Sequence, residues 1–317
     1  MTQKIVLGVL AFNEENHIEN VIQKLLSLKE DIVIIDDFSS DRTEEILKQF
    51  ENIKNIKIIR NKNNLGAGSS TKILLDTAKQ LGYTFLVKID GDDQFAVDDV
   101  QKIINLHKNG NYQYIKSNRY WDGGIVGDIP KIRFFGNLVA TFLMQLAAGS
   151  RKLFDPLNGL FGVTLDLNPY LNDKVYPTRY GYPYFFTLLA SLHGLKTYQI
   201  NNVVNYGDQS SQLNSIKVFF TILKLTLVFY IRKLKIKKTI SSLQKSALYD
   251  IFFVVALLIF KILISLFLYI VFYATSSLIS TSNLLILIIA SLFSSLIFFN
   301  FSFKEETRYR DKNVFIE

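Results

Sequence analysis

The N-terminal part of the chain alternates short apolar runs with polar loops and with segments whose apolar residues recur every three or four positions. The apolar runs cover residues 5–10, 32–35, 56–59 and 86–89. Strands that alternate with helices in this way predict an α/β fold with a mainly parallel, doubly wound sheet. The ligand of such a sheet lies beyond the carboxyl ends of its strands, which is where the polar loops fall.

The last of these runs leads directly into Asp90, Gly91, Asp92, Asp93 and Gln94. Asp90 and Asp92 are separated by one glycine, so both side chains can reach one hard cation. Mg²⁺ prefers one or two carboxylates together with substrate phosphates. The alternative for an isolated pair of this kind is a solvated acidic turn after a strand, and the surrounding motifs decide between the two.

A glycine-rich segment follows the third run, with Gly66 and Gly68 at its start and Thr71 at its end. It lacks the third glycine of a dinucleotide-binding fingerprint and does not follow the first strand. The acidic residue expected about twenty positions later would be Asp90, which already belongs to the carboxylate cluster. These departures disfavour a nicotinamide or flavin dehydrogenase. The two glycines instead predict that a helix start closely approaches a nucleotide or the sheet.

Four loop motifs occur in order along this part of the chain. They read Ala-Phe-Asn-Glu-Glu at 11–15, Asp-Asp-Phe-Ser-Ser-Asp-Arg-Thr at 36–43, Asn-Leu-Gly-Ala-Gly at 64–68 and Asp-Gly-Asp-Asp-Gln-Phe at 90–95. With these motifs the sequence resembles the family 2 glycosyltransferases. The segments at 116–120, 130–137, 155–159 and 206–211 resemble the polyprenyl-phosphate sugar transferases in particular, a group that includes dolichyl-phosphate mannose synthase and undecaprenyl-phosphate glucosyltransferase.

The resemblance implies a GT-A fold, a Rossmann-like domain that binds a nucleotide sugar. The donor-binding positions that it implies are Asn13, Glu14, Asp37, Gly66, Gly68 and Asp90. It also implies that Asp90 and Asp92 bind Mg²⁺ or Mn²⁺, with Gln94 as a third polar ligand. Asp36 and Asp41 have a structural alternative, because an aspartate before a helix is commonly an N-cap.

On the acceptor side, the resemblance places Arg119 and Arg133 at the phosphate of the lipid. A guanidinium suits this role because it binds phosphate oxygens bidentately and stays charged. Asp155 precedes a Pro-Leu-Asn-Gly turn. It is either a turn-forming residue or a carboxylate near C1 of the sugar, and both interpretations stay open. Asp92, Asp155, Arg119 and Arg133 are the candidate catalytic residues.

The implied reaction moves a sugar from a nucleotide sugar, with a UDP-sugar favoured, to polyprenyl phosphate for cell-envelope glycans, with inversion at C1. A GDP-mannose-dependent mannosyltransferase is the alternative. The phosphate of the acceptor is already anionic, so a catalytic triad is not required. A processive polysaccharide synthase is disfavoured because Trp121, the only tryptophan, has no arginine immediately before it. A catalytically silent membrane scaffold is the alternative of another class.

The composition changes near residue 214. Residues 216–238 mix apolar clusters with seven basic residues, which favours an amphipathic helix at a membrane interface. Residues 251–273 and 284–303 are long and apolar enough to span a bilayer. We therefore expect a GT-A domain over 1–214, an interfacial segment over 215–240 and a two-helix hairpin with a C-terminal tail over 241–317.

Basic residues flank both outer ends of the predicted hairpin, so the positive-inside rule places the catalytic domain and both termini in the cytoplasm of an inner-membrane protein. Lys261 lies inside the first span, where a charge is costly. Four interpretations stay open: it faces the partner helix, it snorkels, the true span starts later, or it lies at a helix–helix contact of a homo-oligomer. The formal net charge of +8 fits an anionic membrane and a lipid phosphate, and no nucleic-acid-binding motif is present.

Three further observations bear on the expected chemistry. The chain has no cysteine, and its histidines His17, His107 and His193 show no metal-ligand spacing. Residues 179–185 and Gln209 depart from the pattern of the resembled group on the acceptor side. The first strand begins near the N-terminus, so no signal peptide is expected.

Overall fold

We describe residues 4–120, 125–126, 131–202, 204–205, 215–273 and 281–316 of a computed structural model. The chain forms two compact units. The first comprises Met1–Phe229 together with Asn313–Glu317, and the second comprises Tyr230–Lys312. The first unit therefore extends beyond residue 214, where the composition changes, because the first half of a long helix packs into its core.

The first unit contains an eight-stranded sheet with helices on both faces. Its N-terminal half follows the predicted alternation of strands and helices. The elements are β1 (Ile5–Ala11), α1 (Ile18–Leu26), β2 (Asp31–Asp36), α2 (Thr43–Lys48), β3 (Ile56–Arg60), α3 (Ala67–Gln80), β4 (Phe85–Asp90) and α4 (Val97–Gly110). The prediction of an α/β sheet with these four strands is confirmed.

The second half of this unit is less regular. Its elements are β5 (Tyr114–Asn118), β6 (Ile125–Val126), α5 (Lys131–Ala148), β7 (Phe161–Thr164), a 3-10 helix (Leu165–Asn172), α6 (Tyr182–Leu192), β8 (Thr197–Asn201) and β9 (Val204–Asn205). The main sheet has the order β10-β8-β5-β7-β4-β1-β2-β3, and β6 pairs with β9. Strand β7 runs antiparallel to both neighbours, whereas the other pairs are parallel.

The sheet is buried on both faces, as a doubly wound sheet must be. Val6 and Leu86 pack into one hydrophobic core, whereas Leu7 and Val87 pack into the other. This division follows from the two-residue period of a strand, which sends successive side chains to opposite faces. Every residue of β1 is buried. The carboxyl ends of β1, β2 and β4 are left to carry polar loops at one edge.

The C-terminal part of the chain consists of α7 (Ser215–Thr239), a 3-10 turn (Ser241–Leu243), α8 (Gln244–Tyr273), α9 (Thr281–Arg310), a second 3-10 turn (Asp311–Asn313) and β10 (Val314–Ile316). Two of these helices are long and apolar enough to cross a membrane, with mean hydropathies of 2.5 over Ser241–Leu266 and 2.1 over Ile286–Asn313. Lys261 is exposed on α8, and its role stays a prediction.

The second unit contains a buried ionic cluster. Lys237 Nζ lies 2.6 Å from both Asp250 Oδ2 and Glu306 Oε2, and Lys233 Nζ lies 2.9 Å from Glu306 Oε2. Arg310 Nε pairs with the other Glu306 oxygen at 3.0 Å. Lys233 and Lys237 are therefore buried and paired within this unit, and the interfacial position of the helix stays a prediction.

The end of the chain returns to the first unit. Val314, Phe315 and Ile316 pair in parallel with Thr197, Tyr198 and Gln199 of β8. The Lys152 ammonium donates to the Val314 carbonyl at 3.1 Å. Residues 314–316 were expected to belong to a terminal tail, but they form the edge strand of the main sheet. Their β-branched and aromatic side chains favour this conformation.

Candidate active site

The three carboxylates after β4 point in different directions. Asp93 has a left-handed backbone with φ of 58°, and Lys24 Nζ donates to its two oxygens at 2.7 and 2.9 Å. Asn20 donates to the same carboxylate. Asp93 is therefore bound to α1 through Lys24 and Asn20.

Asp90 contacts a buried lysine on its own strand. Lys88 Nζ donates to Asp90 Oδ1 and, at 2.6 Å, to the hydroxyl of Tyr182 at the start of α6. Lys88 is fully buried, whereas the Asp90 side chain is 41% exposed. The other oxygen, Asp90 Oδ2, faces Gly159, where a Cβ atom would lie 2.0 Å from it. Any residue larger than glycine at position 159 would therefore clash with this oxygen.

Asp92 lies in an environment of excess negative charge. Burial, followed by the charges of Asp90 and Glu14, raises the pKa of Asp92 from 3.8 to about 7. Burial also raises the pKa of Glu14, whose carboxylate lies 3.0 Å from His17 Nδ1. Gln94 donates its backbone N–H to Asp92 Oδ1 at 3.3 Å. Carboxylates that resist ionisation together are a suitable environment for a divalent cation.

The described residues contain no group of three or more histidine, cysteine, aspartate or glutamate side chains arranged to hold a metal ion. Asp90 and Asp92 nevertheless fit one in two respects. Their negative charges act on each other, since the charge of Asp90 helps to raise the pKa of Asp92, and the Asp90 side chain is 41% exposed. With two carboxylates a cation would need phosphate oxygens to complete its shell, which is the usual arrangement for Mg²⁺ at a diphosphate.

The predicted nucleoside-binding residues lie at the ends of β1 and β2. Asn13 has φ of 58° and is exposed, and its side-chain oxygen accepts from the Ser40 N–H at 2.8 Å. Asp37 is buried and accepts from Asn61 Nδ2, the Leu65 N–H and the Gly66 N–H at 2.7 to 2.9 Å. Asp37 thus stabilises the loop before α3, and its role toward a nucleoside stays a prediction.

The glycines of this loop allow a close approach of two backbones. Gly66 has φ of 90°, a conformation that favours glycine. A Cβ atom on Gly68 would lie 1.9 Å from the Pro177 carbonyl oxygen. The Gly68 N–H donates a hydrogen bond to the Arg179 carbonyl at 2.9 Å. The start of α3 therefore packs against residues 177–179, and its approach to a nucleotide stays a prediction.

The two aspartates with a structural alternative both bind neighbouring parts of the chain. Asp36 is buried and accepts from Ser39 and, at 2.8 Å, from Arg60 Nη1. Asp41 Oδ1 accepts from the Thr43 N–H at 3.0 Å at the start of α2, but the N-cap residue is Arg42, so Asp41 lies one position before the cap. Its other oxygen accepts from the Glu15 N–H at 3.1 Å.

Arg119 and Asp155 form a buried ion pair on the acceptor side. Asp155 Oδ2 accepts from the Arg119 N–H and Nε at 3.0 and 2.8 Å, and Oδ1 accepts from Arg119 Nη2 at 2.7 Å. Asn137 and Asn158 donate to the same carboxylate at 2.9 and 3.3 Å. Burial alone would raise the pKa of Asp155, but the charge of Arg119 and its hydrogen bonds hold that pKa below its usual range.

The sequence left two roles open for Asp155, and the geometry supplies a third. Its side chain is fully buried, and both oxygens accept hydrogen bonds from Arg119. Asp155 therefore fixes the orientation of the guanidinium, which is 16% exposed. Lys116 on β5 contributes to the same network, because its Nζ donates to the carbonyls of Phe154 and Asp155. Burial lowers the pKa of Lys116 to about 8.

An exposed apolar helix face begins beside this ion pair. Arg119 lies 5.6 Å from the Tyr120 ring centroid, and that ring is 5.9 Å from the ring of Phe134 on α5. Along α5 the apolar residues that remain exposed are Phe134, Phe135, Leu138, Val139 and Phe142. The backbone of Arg133 belongs to the first turn of this helix. Its side chain lies outside the described residues, as does Gln209.

Sequence reasoning missed Lys88, Lys116 and Tyr182. Lys88 interrupts the apolar run of β4, and Lys116 lies in the middle of β5, all of whose residues are buried. A charged residue in such a strand needs a buried partner, which could have identified both as site residues. Tyr182 lies in the segment that departs from the expected acceptor motif, and nothing local to it points to Lys88.

Comparison with solved structures identifies the fold of the first unit. A glucosyl-3-phosphoglycerate synthase from Mycobacterium tuberculosis, solved in complex with Mn²⁺, UDP and phosphoglyceric acid, superposes with a TM-score of 0.54 at 18% identity. The match covers 71% of this chain and 78% of that one. At this identity the likeness shows the fold alone. The described sheet is therefore that of a GT-A domain.

The family follows from the sequence matches. Residues 7–163 match the family model described as glycosyl transferase family 2. A UDP-N-acetylglucosamine–dolichyl-phosphate N-acetylglucosaminyltransferase of Methanococcus voltae is 28% identical over 195 residues, which are 57% of this chain and 77% of the relative. A dolichol-phosphate mannosyltransferase of Pyrococcus furiosus is 28% identical over 177 residues, 52% and 49% of the two chains. The chain belongs to glycosyl transferase family 2 and is a glycosyltransferase.

Proposed function

We propose that this glycosyltransferase moves a sugar from a nucleotide sugar, with a UDP-sugar favoured, to polyprenyl phosphate at a membrane surface. The observation that carries the proposal is the position of Arg119. Its guanidinium is oriented by Asp155 and lies at the start of the exposed apolar face of α5. A phosphate with a long apolar tail matches that combination of a fixed cation and an adjoining apolar surface.

On the donor side, Asp90 and Asp92 would hold Mg²⁺ or Mn²⁺ at the diphosphate, with Asn13, Glu14 and Asp37 near the nucleoside. The metal supplies positive charge that stabilises the departing nucleotide diphosphate. The residues of this chain bind and align the two substrates. Their alignment matters because an anionic phosphate oxygen needs little further activation to attack a sugar carbon.

The reaction is a single displacement. An oxygen of the lipid phosphate forms a bond to C1 of the sugar, and the bond from C1 to the nucleotide diphosphate breaks with its electron pair on the diphosphate. Arg119, held by Asp155, would orient the attacking phosphate, and Arg133 would bind it from the first turn of α5. Attack opposite the leaving group inverts C1, and no proton has to be removed from the acceptor.

We further propose that α8 and α9 cross the membrane as a hairpin. The chain leaves the first unit after Phe229 and returns to it in β10, which pairs with β8. A chain that leaves the first unit and returns to it must cross the membrane an even number of times. The two apolar helices would provide two crossings. Basic residues at the outer helix ends support a cytoplasmic location of the catalytic domain and both termini in an inner membrane.

A transfer assay with the full-length protein tests the function. Labelled UDP-glucose, UDP-N-acetylglucosamine and GDP-mannose are offered with undecaprenyl phosphate, and we expect a labelled lipid product from a UDP-sugar. Asp92→Asn should abolish most metal-dependent transfer. Asp93→Asn is the matched control, because this neighbouring carboxylate is bound to Lys24. Transfer that persists in Asp92→Asn or in the presence of a chelator would contradict the metal role.

The same assay separates the alternatives. Product from GDP-mannose alone would favour the mannosyltransferase, to which the Pyrococcus furiosus relative corresponds by name. Binding of a nucleotide sugar without transfer to any lipid or to water would indicate a scaffold that keeps the fold without turnover. Transfer only to a soluble phosphorylated acceptor would contradict the lipid assignment while retaining the enzyme class.

A further inference from the structure

The buried lysine of β4 has a contact that the reaction above does not use. Lys88 is fully buried, and its ammonium donates to Asp90 Oδ1 and to the Tyr182 hydroxyl. Among the described residues, these two oxygens are its hydrogen-bond partners, and the ammonium lies 5.0 Å from the Tyr182 ring centroid. A positive charge is therefore fixed directly on a carboxylate at the cation-binding position.

Asp90 has two neighbours of different kinds. Its Oδ1 is bound to Lys88, its Oδ2 lies against Gly159, and the side chain is 41% exposed. A divalent cation at Asp90 would share this carboxylate with the ammonium. Two cations that share one carboxylate repel each other, and each lowers the affinity of the site for the other. The Lys88 ammonium cannot leave, because it is attached to a core strand.

We propose that Lys88 is a built-in counter-cation of the donor site, which keeps metal binding weak until the nucleotide diphosphate arrives. This inference rests on the proposed donor site. The diphosphate brings negative charge that offsets both the metal and the ammonium. Metal and nucleotide therefore bind with positive coupling, and by linkage each raises the affinity for the other by the same factor.

Tyr182 has a separable part in this arrangement. Its hydroxyl oxygen accepts a hydrogen bond from Lys88 and so shares the ammonium with Asp90. Without that hydroxyl, Asp90 is left as the main acceptor, and the ammonium competes more strongly with a metal. Loss of the lysine charge and loss of the tyrosine hydroxyl should therefore change metal affinity in opposite directions. A role in packing alone would weaken binding in both variants.

The experiment measures Mn²⁺ binding to the purified full-length protein by electron paramagnetic resonance, with and without UDP. Lys88→Met and Lys88→Gln should each raise the Mn²⁺ affinity of the nucleotide-free protein by about tenfold or more and reduce the enhancement by UDP. Tyr182→Phe should lower that affinity. Tyr114→Phe is the matched control, since Tyr114 is equally buried and its hydroxyl bonds to Thr187 at 2.9 Å, and it should bind Mn²⁺ as the wild type does.

Unchanged or weaker Mn²⁺ binding in both Lys88 variants would overturn the inference, as would a UDP enhancement equal to that of the wild type. If neither Lys88 variant folds, Tyr182→Phe decides alone, and an affinity at or above that of the wild type overturns the proposal. Failure of the proposed donor site has a different signature. In that case the wild-type protein itself binds no Mn²⁺ in the presence of UDP.

Discussion

At the proposed donor site, Asp92 would couple proton binding to metal binding. Burial and the charges of Asp90 and Glu14 raise its pKa from 3.8 to about 7 in the metal-free protein. A metal that binds this carboxylate must displace the proton, because the ligand form is the anion. We therefore expect the affinity for Mn²⁺ to fall as the pH is lowered through 7 and to level off above it.

The size of the effect follows from the titration. With a pKa of about 7, the Asp92 carboxyl is ionised in roughly one molecule in eleven at pH 6 and in about ten of eleven at pH 8. The apparent affinity for Mn²⁺ should then rise about tenfold between these pH values, or about 1.4 kcal/mol of binding free energy. A carboxyl with the ordinary pKa of 3.8 would be ionised at both and would give no change.

The assay is a set of Mn²⁺ titrations of the full-length protein at pH 6, 7 and 8 and constant ionic strength. Asp92→Asn should bind more weakly and lose the pH dependence, whereas Asp93→Asn should keep both affinity and dependence because Lys24 holds that carboxylate. His17→Gln removes the imidazole beside Glu14 and should leave the tenfold change in place. A wild-type affinity that is flat from pH 6 to 8 would refute the raised pKa.

Three further predictions concern the acceptor site, the second unit and the terminal strand. Arg119→Ala and Arg133→Ala should each raise the KM for polyprenyl phosphate about tenfold or more with an unchanged Kd for UDP; an equal loss of UDP affinity would show that they support the donor site. Lys237→Met leaves buried carboxylates short of a cation and should lower the unfolding free energy in detergent by about 3 to 5 kcal/mol, whereas the exposed Lys238→Met should change it little. Deletion of residues 313–317 exposes the β8 edge and should lower the Tm, and an unchanged Tm would mean that β10 adds no stability.

The first four strands could be predicted because each one carries its own sequence pattern. An apolar run ends in a polar loop, and a helical period follows, so β1, β2, β3 and β4 are defined locally. Strand β7 has no such pattern. It enters the sheet antiparallel between β4 and β5, and its place depends on pairing with strands far away in the chain. The three-residue strand β10 is equally dependent on the edge that β8 offers.

The donor carboxylates were predictable for a related reason. Asp90 and Asp92 belong to one contiguous motif, so their proximity follows from the sequence itself. Lys88 and Tyr182 lie 94 residues apart, and only the fold brings the ammonium to the hydroxyl. The same holds for Arg119 and Asp155, which are 36 residues apart. The resemblance to relatives indicated both residues, but their direct pairing, and hence the positioning role of Asp155, came from the geometry.

The buried lysines also change how the charge of α7 acts on a membrane. A buried ammonium is stable only with an anionic or carbonyl partner, so Lys233 and Lys237 are neutralised by Asp250 and Glu306. The lysines of this helix that remain exposed are Lys217, Lys224, Lys235 and Lys238. At about 1 kcal/mol for each basic residue near an anionic surface, two fewer lysines weaken the expected attraction by about 2 kcal/mol. The proposed attachment through this helix would therefore depend more on its exposed apolar side chains than its composition indicates.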